Sequence, residues 1–198
     1  MSDNAASTVR YELDSAQSEF TVQAFAAGFF SGFGHNPTIA IRDFKGAAQF
    51  SPDQLYDGSL RLEINAKSLE VLDDIKEKDK QEIERGMHND VLETSQFPEI
   101  VFQSTSVTLT KTNDEHFKAK IIGDLTMHGI TRSALWIMPK FTLNGDELTA
   151  TGNFTLKQTD YGIKLVSIAA GALKLKDELE FSFNIVGSKS EPSAVAGG

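Results

Sequence analysis

The sequence predicts an all-β protein: an antiparallel sheet closed into a barrel of about eight strands, with one surface helix inserted. Three observations predict it. Apolar and polar residues alternate along most of the 198-residue chain, turn-forming clusters interrupt the alternation at short intervals, and a single charged segment follows a helical period instead. With 40% hydrophobic residues the chain can bury one core, so one domain is expected. Residues 1–10 and the small, polar tail 188–198 are expected to be disordered.

In chain order, a first strand from Tyr11 runs into "AFAAGFFSGFGHNP", Ala24 to Pro37, with four phenylalanines, three glycines and a histidine. Such a stretch suits the lip of a pocket or a hidden turn, with the glycines letting the chain fold inward. In "SLRLEINAKS", Leu60, Leu62, Ile64 and Ala66 face one way and Arg61, Glu63, Asn65 and Lys67 the other, as in a half-buried strand. From Asp73 to Thr94 the charged segment carries Ile75, Ile83, Met87 and Val91 mostly at four-residue intervals, which predicts a surface helix loosened by Gly86. Phe117, Ala119, Ile121, Gly123 and Leu125 form the next inward row. Leu135, Ile137, Phe141 and Leu143 follow, with Pro139 marking a bulge or edge. Leu148 to Leu156 and Leu179 to Ile185 repeat the alternation, and Asn144-Gly145 is a hairpin signal. Small inward residues (Ala66, Ala119, Gly123, Ala150, Gly152) fit either a hollow interior or the taper of a filled barrel.

Composition excludes several function classes. A formal charge of -9 opposes nucleic-acid binding and disfavours electrostatic docking on an anionic membrane. The absence of cysteine removes disulfides, iron–sulfur clusters, zinc thiolates and thiol catalysis. No apolar run approaches a membrane span, so no stable membrane insertion is expected. The N-terminus lacks a signal-peptide core, which places the chain in the cytoplasm as written, or in the periplasm or outside if a leader has been cleaved. No G-x-S-x-G elbow or phosphate loop occurs, and adjacent carboxylates such as Asp73-Asp74 on a strand would point to opposite faces. A non-enzymatic protein is expected.

Tracing the meander puts His35, His128 and the long connection "QTDYGIKLVSIAAG" at one barrel end, with His88 near it and His116 at the other. Three imidazoles with an open position would suit a metal or haem, although no H-x-H spacing pins two of them to one element.

The order of motifs resembles the YceI-like family of lipocalin-like barrels that bind polyisoprenoid lipids. "YELDSAQSEFTVQAF" is similar to the family's first strand, with Gln17 where a histidine is usual, and "IAIRDFKGAAQFSPD" to its second. "SLRLEINAKSLEV", "MHNDVLETSQFPEIVFQSTS", "IIGDLTMHGITRSALW" and "FTLKQTDYGI" follow in the family's order, from Tyr11 to about Gly187, which implies domain limits of 11–187. "GFFSGFGHNP" departs from the pattern, being richer in glycine and phenylalanine. The resemblance implies binding, transport or storage of a polyisoprenoid lipid or isoprenoid quinone, with no cofactor required. The residues expected around that ligand are Phe20, Phe25, Phe29, Phe30, Phe33, His35, Ile64, Ile121, Leu125, Trp136, Phe154 and Phe181. The alternatives are a metal- or haem-binding protein using His35, His88 and His128, and a ligand-free interaction module. A homodimer is left open.

Overall fold

The computed structural model describes residues 8–27, 36–51, 54–168 and 173–190. In chain order the strands are β1 (Val9–Gln23), β2 (Ala26–Ala27), β3 (Thr38–Ile41), β4 (Phe44–Ser51), β5 (Gln54–Asn65), β6 (Leu69–Val71) and β7 (Glu99–Lys111). They continue as β8 (His116–Met127), β9 (Ile130–Ile137), β10 (Lys140–Asn144), β11 (Glu147–Lys157), β12 (Ser167–Ile168), β13 (Leu173–Leu175) and β14 (Glu178–Ser190). Eight of them, β1, β4, β5, β7, β8, β10, β11 and β14, pair in that order, and β14 returns to β1 to close the ring. The expected barrel of about eight strands is present. Closure removes the edges that an open sheet of this length would expose.

Period two decides which side chains fill the barrel. Each anticipated inward row points inward, and Leu60, Leu62, Ile64, Phe117, Ile121, Leu125, Leu148, Phe181 and Ile185 all belong to or pack on the core. The small inward residues divide into two kinds. A Cβ on Gly123 would meet the Phe102 ring at 2.4 Å, and one on Gly152 would meet the Phe183 ring at 2.6 Å. Those glycines make room for rings from neighbouring strands. Ala119 and Ala150, by contrast, face open space described below. Ala66 is buried in the 3-10 turn Ala66–Ser68.

One wall of the barrel is irregular. Ile137 faces Ile121 and Lys140 faces Lys118, so β9 and β10 keep one register on β8 across the Met138-Pro139 break. Ala119 N–H donates to the Pro139 carbonyl at 2.9 Å, but proline has no N–H to return. On its other side β10 pairs with β11 as far as Lys140–Thr151. Among the described residues no backbone bond joins β9 to β11. The two strands part above Pro139.

The charged segment is helical over a shorter span than Asp73 to Thr94. The helix α1 covers Glu77–Gly86, with Glu77 and Asp79 in its first turn and Arg85 in its last, each favourable with the helix dipole. It then widens into a π turn, Met87–Val91, whose Met87 is buried. The helix packs on β6, which extends β3 beside β1.

Both expected disordered ends are corrected where they meet the barrel. Arg10 pairs with Ser190, Tyr11 with Lys189 and Glu12 with Ser188, so the strands run beyond the 11–187 limits. Cross-strand pairing outweighs the polar composition of Ser188–Ser190 because these residues close the ring. Residues 1–7 and 191–198 lie outside the described residues. Removing 191–198 is expected to leave the melting temperature unchanged, whereas removing 187–198 should lower it by several degrees. Thermal denaturation of the two truncations checks this.

Candidate functional site

Among the described residues, buried side chains pack in layers towards both ends of the barrel interior, with a cavity between them. At the end that receives Asn65, Met127 and Lys157, the layer of Phe44, Ile64, Phe102, Leu125 and Phe181 is buried. Phe20 packs edge-on to Phe44 and Phe181, at 6.2 and 6.4 Å between ring centres. Towards the opposite end, Tyr11 stacks on Phe50 at 5.8 Å and Phe117 on Phe141 at 5.0 Å. Between these aromatic layers lies a cavity of about 120 Å³. Its lining comes from all eight ring strands and β9, and among the described residues only Gln49 and Ser59 in it are polar. Among the described residues no imidazole or carboxylate lines it.

This geometry sorts the expected ligand residues. Phe20, Ile121 and Phe154 line the cavity. Ile64, Leu125 and Phe181 are buried but belong to the packed layer beside it. Trp136 points the other way and is 51% exposed, because the alternation that sends Leu135 and Ile137 inward sends Trp136 out. Phe25 lies outside the barrel lumen: Lys176 Nζ sits 5.4 Å over its ring, beside a polar groove that includes Thr21, Gln23 and Glu180. Thr21 and Gln23 alternate with the inward Phe20 and Val22, which puts that groove on the outer wall. Phe29, Phe30, Phe33 and His35 lie outside the described residues. Sequence reasoning missed Leu13, Phe50, Val107, Phe141 and Phe183 as lining residues, although period two had marked Phe141 and Phe183 as inward.

His88 and His128 fall at the end the meander predicted and His116 at the other; each has a ring nitrogen bonded within the protein, while the buried His88 Nδ1 has no partner among the described residues. His88 Nε2 donates to the Leu69 carbonyl at 3.1 Å. His128 Nδ1 donates to the Tyr161 carbonyl at 3.2 Å and its Nε2 lies 2.7 Å from a Glu93 carboxylate oxygen. The His128 ring also packs on Phe97, 4.5 Å between centres. At the far end His116 Nδ1 bonds Asn113 at 2.9 Å. Among the described residues no group of three His, Asp or Glu side chains is arranged to hold a metal. Among the described residues no metal or haem site is assembled: His88 and His128 serve as tethers through Nε2 and Nδ1, His128 fixes the β8–β9 hairpin with φ of 51° at His128 and 73° at Gly129, and His35 lies outside the described residues.

Tyr161, which receives His128, sits on a 3-10 turn, Gln158–Tyr161, that Asp177 secures. Its carboxylate accepts the Thr159 N–H at 2.9 Å and hydroxyl at 2.6 Å, and these bonds hold its pKa below the ordinary 3.8. Asp14 is lowered likewise by the Gln17 amide and Ala16 N–H, where four residues bulge out of β1. A folded-state pKa below the unfolded one means stability present above the unfolded value of about 4 and lost as pH falls through the folded value. The melting temperature is expected to drop on acidification from neutral to about pH 3, and Asp177→Asn should flatten part of that drop. Thermal melts of both proteins across this range check it.

Residues 11–187 match the model of the YceI-like domain. The chain belongs to the YceI-like family. Curated relatives include UPF0312 proteins of Pseudomonas putida, 29% identical over 148 residues, covering 71% of this chain and 70% of theirs. Among solved structures the YceI-like barrel superposes on BcnA of Burkholderia cenocepacia with a TM-score of 0.67 at 17% identity, over 88% of this chain and 98% of that one. It also superposes on a polyisoprenoid binding domain from Saccharophagus degradans implicated in plant cell wall breakdown, with a TM-score of 0.66 at 14% identity, over 91% and 98%. These likenesses show the fold. No helix among the described residues is long and apolar enough to cross a membrane.

Proposed function

We propose that the barrel binds a long apolar chain, a polyisoprenoid lipid or the tail of an isoprenoid quinone, and carries or stores it without chemistry. The observation that carries this reading is the apolar cavity between the two aromatic layers. An empty apolar cavity stays dry, and filling it recovers contacts that its lining lacks. At about 120 Å³ it accepts a group near the size of benzene, so it seats the end of a tail. A longer chain displaces flexible side chains or leaves through the wall. The lining supports binding over catalysis, since among the described residues Ser59 is its one hydroxyl and no base accompanies it. The polyisoprenoid-binding neighbour of the same fold supports the ligand class.

Native mass spectrometry of the purified protein, followed by solvent extraction, tests the proposal. One long-chain apolar molecule per barrel is expected, with occupancy unchanged by a chelator. A barrel that carries nothing and takes up no fluorescent apolar probe would overturn it.

A further inference from the structure

We infer that the outer face of β8, β9 and β10 docks on an anionic lipid surface. Two neighbouring strands build that face. The common register places Ile122 opposite Trp136, Lys120 opposite Met138 and Lys118 opposite Lys140. Trp136 is 51% exposed and Met138 68%. Lys120 Nζ lies 4.1 Å over the Trp136 ring. Among the described residues none of these three lysines forms an ion pair, whereas Lys45, Lys80, Lys111 and Lys189 all do. Their cross-strand neighbours on the far sides are uncharged: Thr108 beside Lys120, Thr110 beside Lys118 and Thr151 beside Lys140.

A protein of net charge -9 should spread its few cations among its anions. Three adjacent, uncompensated lysines around an exposed tryptophan and methionine depart from that pattern. Their chemistry is that of a lipid headgroup layer: ammonium groups meet lipid phosphates, and the indole takes the interfacial position it favours in bilayers. The overall charge does not defeat this, because charges more than about 8–10 Å away are screened at physiological salt. The arrangement also segregates charge. The acid-rich segment around α1 hangs on β6 and β3 beside β1, four places round the eight-strand ring from β8. Of the same-face acids on β8, Asp124 lies two positions beyond Ile122, at the edge of the patch.

The location has a second meaning. Met138 and Pro139 form the break in the wall, and β9 parts from β11 immediately above it. Ile137 and Pro139 line the cavity from inside that break, while Trp136 and Met138 stand outside it. The face therefore lies directly outside a stretch of wall that lines the cavity. A second copy of the chain fits the face less well, since an isologous contact would set lysines against lysines.

Trp136 is the single tryptophan of the chain, so its fluorescence reports the face directly. The full chain is titrated with vesicles of phosphatidylcholine alone and of phosphatidylcholine with phosphatidylglycerol. A blue shift and co-sedimentation are expected with the anionic vesicles, weakened by added salt. Lys118→Gln with Lys140→Gln should weaken binding about 25-fold, at roughly fivefold per lysine near the surface. Lys78→Glu on the exposed helix, the same change in total charge, should leave binding nearly unchanged. The salt response of the parent keeps the test decisive should the double variant fold poorly. Absence of binding, or equal binding to both vesicles without salt dependence, would overturn the inference. So would a blue shift that grows with protein concentration in the absence of lipid, which would mark a protein–protein interface. Vesicle binding is read separately from cavity occupancy, so an empty barrel that docks and a loaded barrel that does not are distinguishable.

Discussion

Phe141→Ala is expected to cost about 3–5 kcal/mol, the range for a buried phenylalanine truncated in a well-packed core. The ring is buried, stacks on Phe117 at 5.0 Å and meets Phe50 edge-on at 5.5 Å. It also sits on β10, which alone joins β8 to β11 in the ring. For a domain of this size the melting temperature should fall by about 10 °C or more. Because Phe141 lines the cavity, its loss enlarges the empty space and leaves more lining without partners. A small apolar probe should therefore stabilise Phe141→Ala more than it stabilises the parent. Denaturant unfolding with and without the probe checks both effects. A fall of under 1 kcal/mol would show that this end of the barrel is looser than its ring geometry indicates.

Ala119→Phe and Ala150→Phe should abolish uptake of apolar ligand while the barrel still folds. Both alanines face the cavity from opposite strands of the β8–β10–β11 wall, and a phenyl ring is close to the size of the space. Filling a real void exchanges empty space for contacts, so the cost should stay below the roughly 1–3 kcal/mol of overpacking. Gly123→Ala is the contrasting control. Its new Cβ would meet the Phe102 ring at 2.4 Å and the Gln103 carbonyl at 2.6 Å, leaving nowhere for the added methyl. Probe uptake and chemical denaturation of the three variants distinguish the cases. Retained uptake in both alanine variants would mean the ligand binds elsewhere.

Much of the wall was legible beforehand because strand alternation is local. A residue two places from an inward leucine also points inward, which placed Ile121 and Phe154 before any coordinates. The same rule assigns Trp136 to the outside, between Leu135 and Ile137, and its expected place at the ligand contradicted that row. His128 was correctly put at the end shared with the 158–171 connection. What could not be read was that Glu93, 35 residues away, would take its second nitrogen. Motif order carried the family, since six short segments in sequence constrain the chain more than any one of them.

The sequence by itself determined an all-β chain, its inward and outward faces, the inserted helix and the absence of thiol chemistry. These follow from residue periods and residue types, which involve only near neighbours along the chain. Tertiary structure alone decided where the barrel is hollow. Gly123 is filled by Phe102 from β7 and Gly152 by Phe183 from β14, while Ala119 and Ala150 line the cavity. Empty volume is what remains after side chains from distant segments have met, and no local pattern records it. The same holds outside, where closing the ring set Lys118, Lys120 and Lys140 side by side around the one tryptophan.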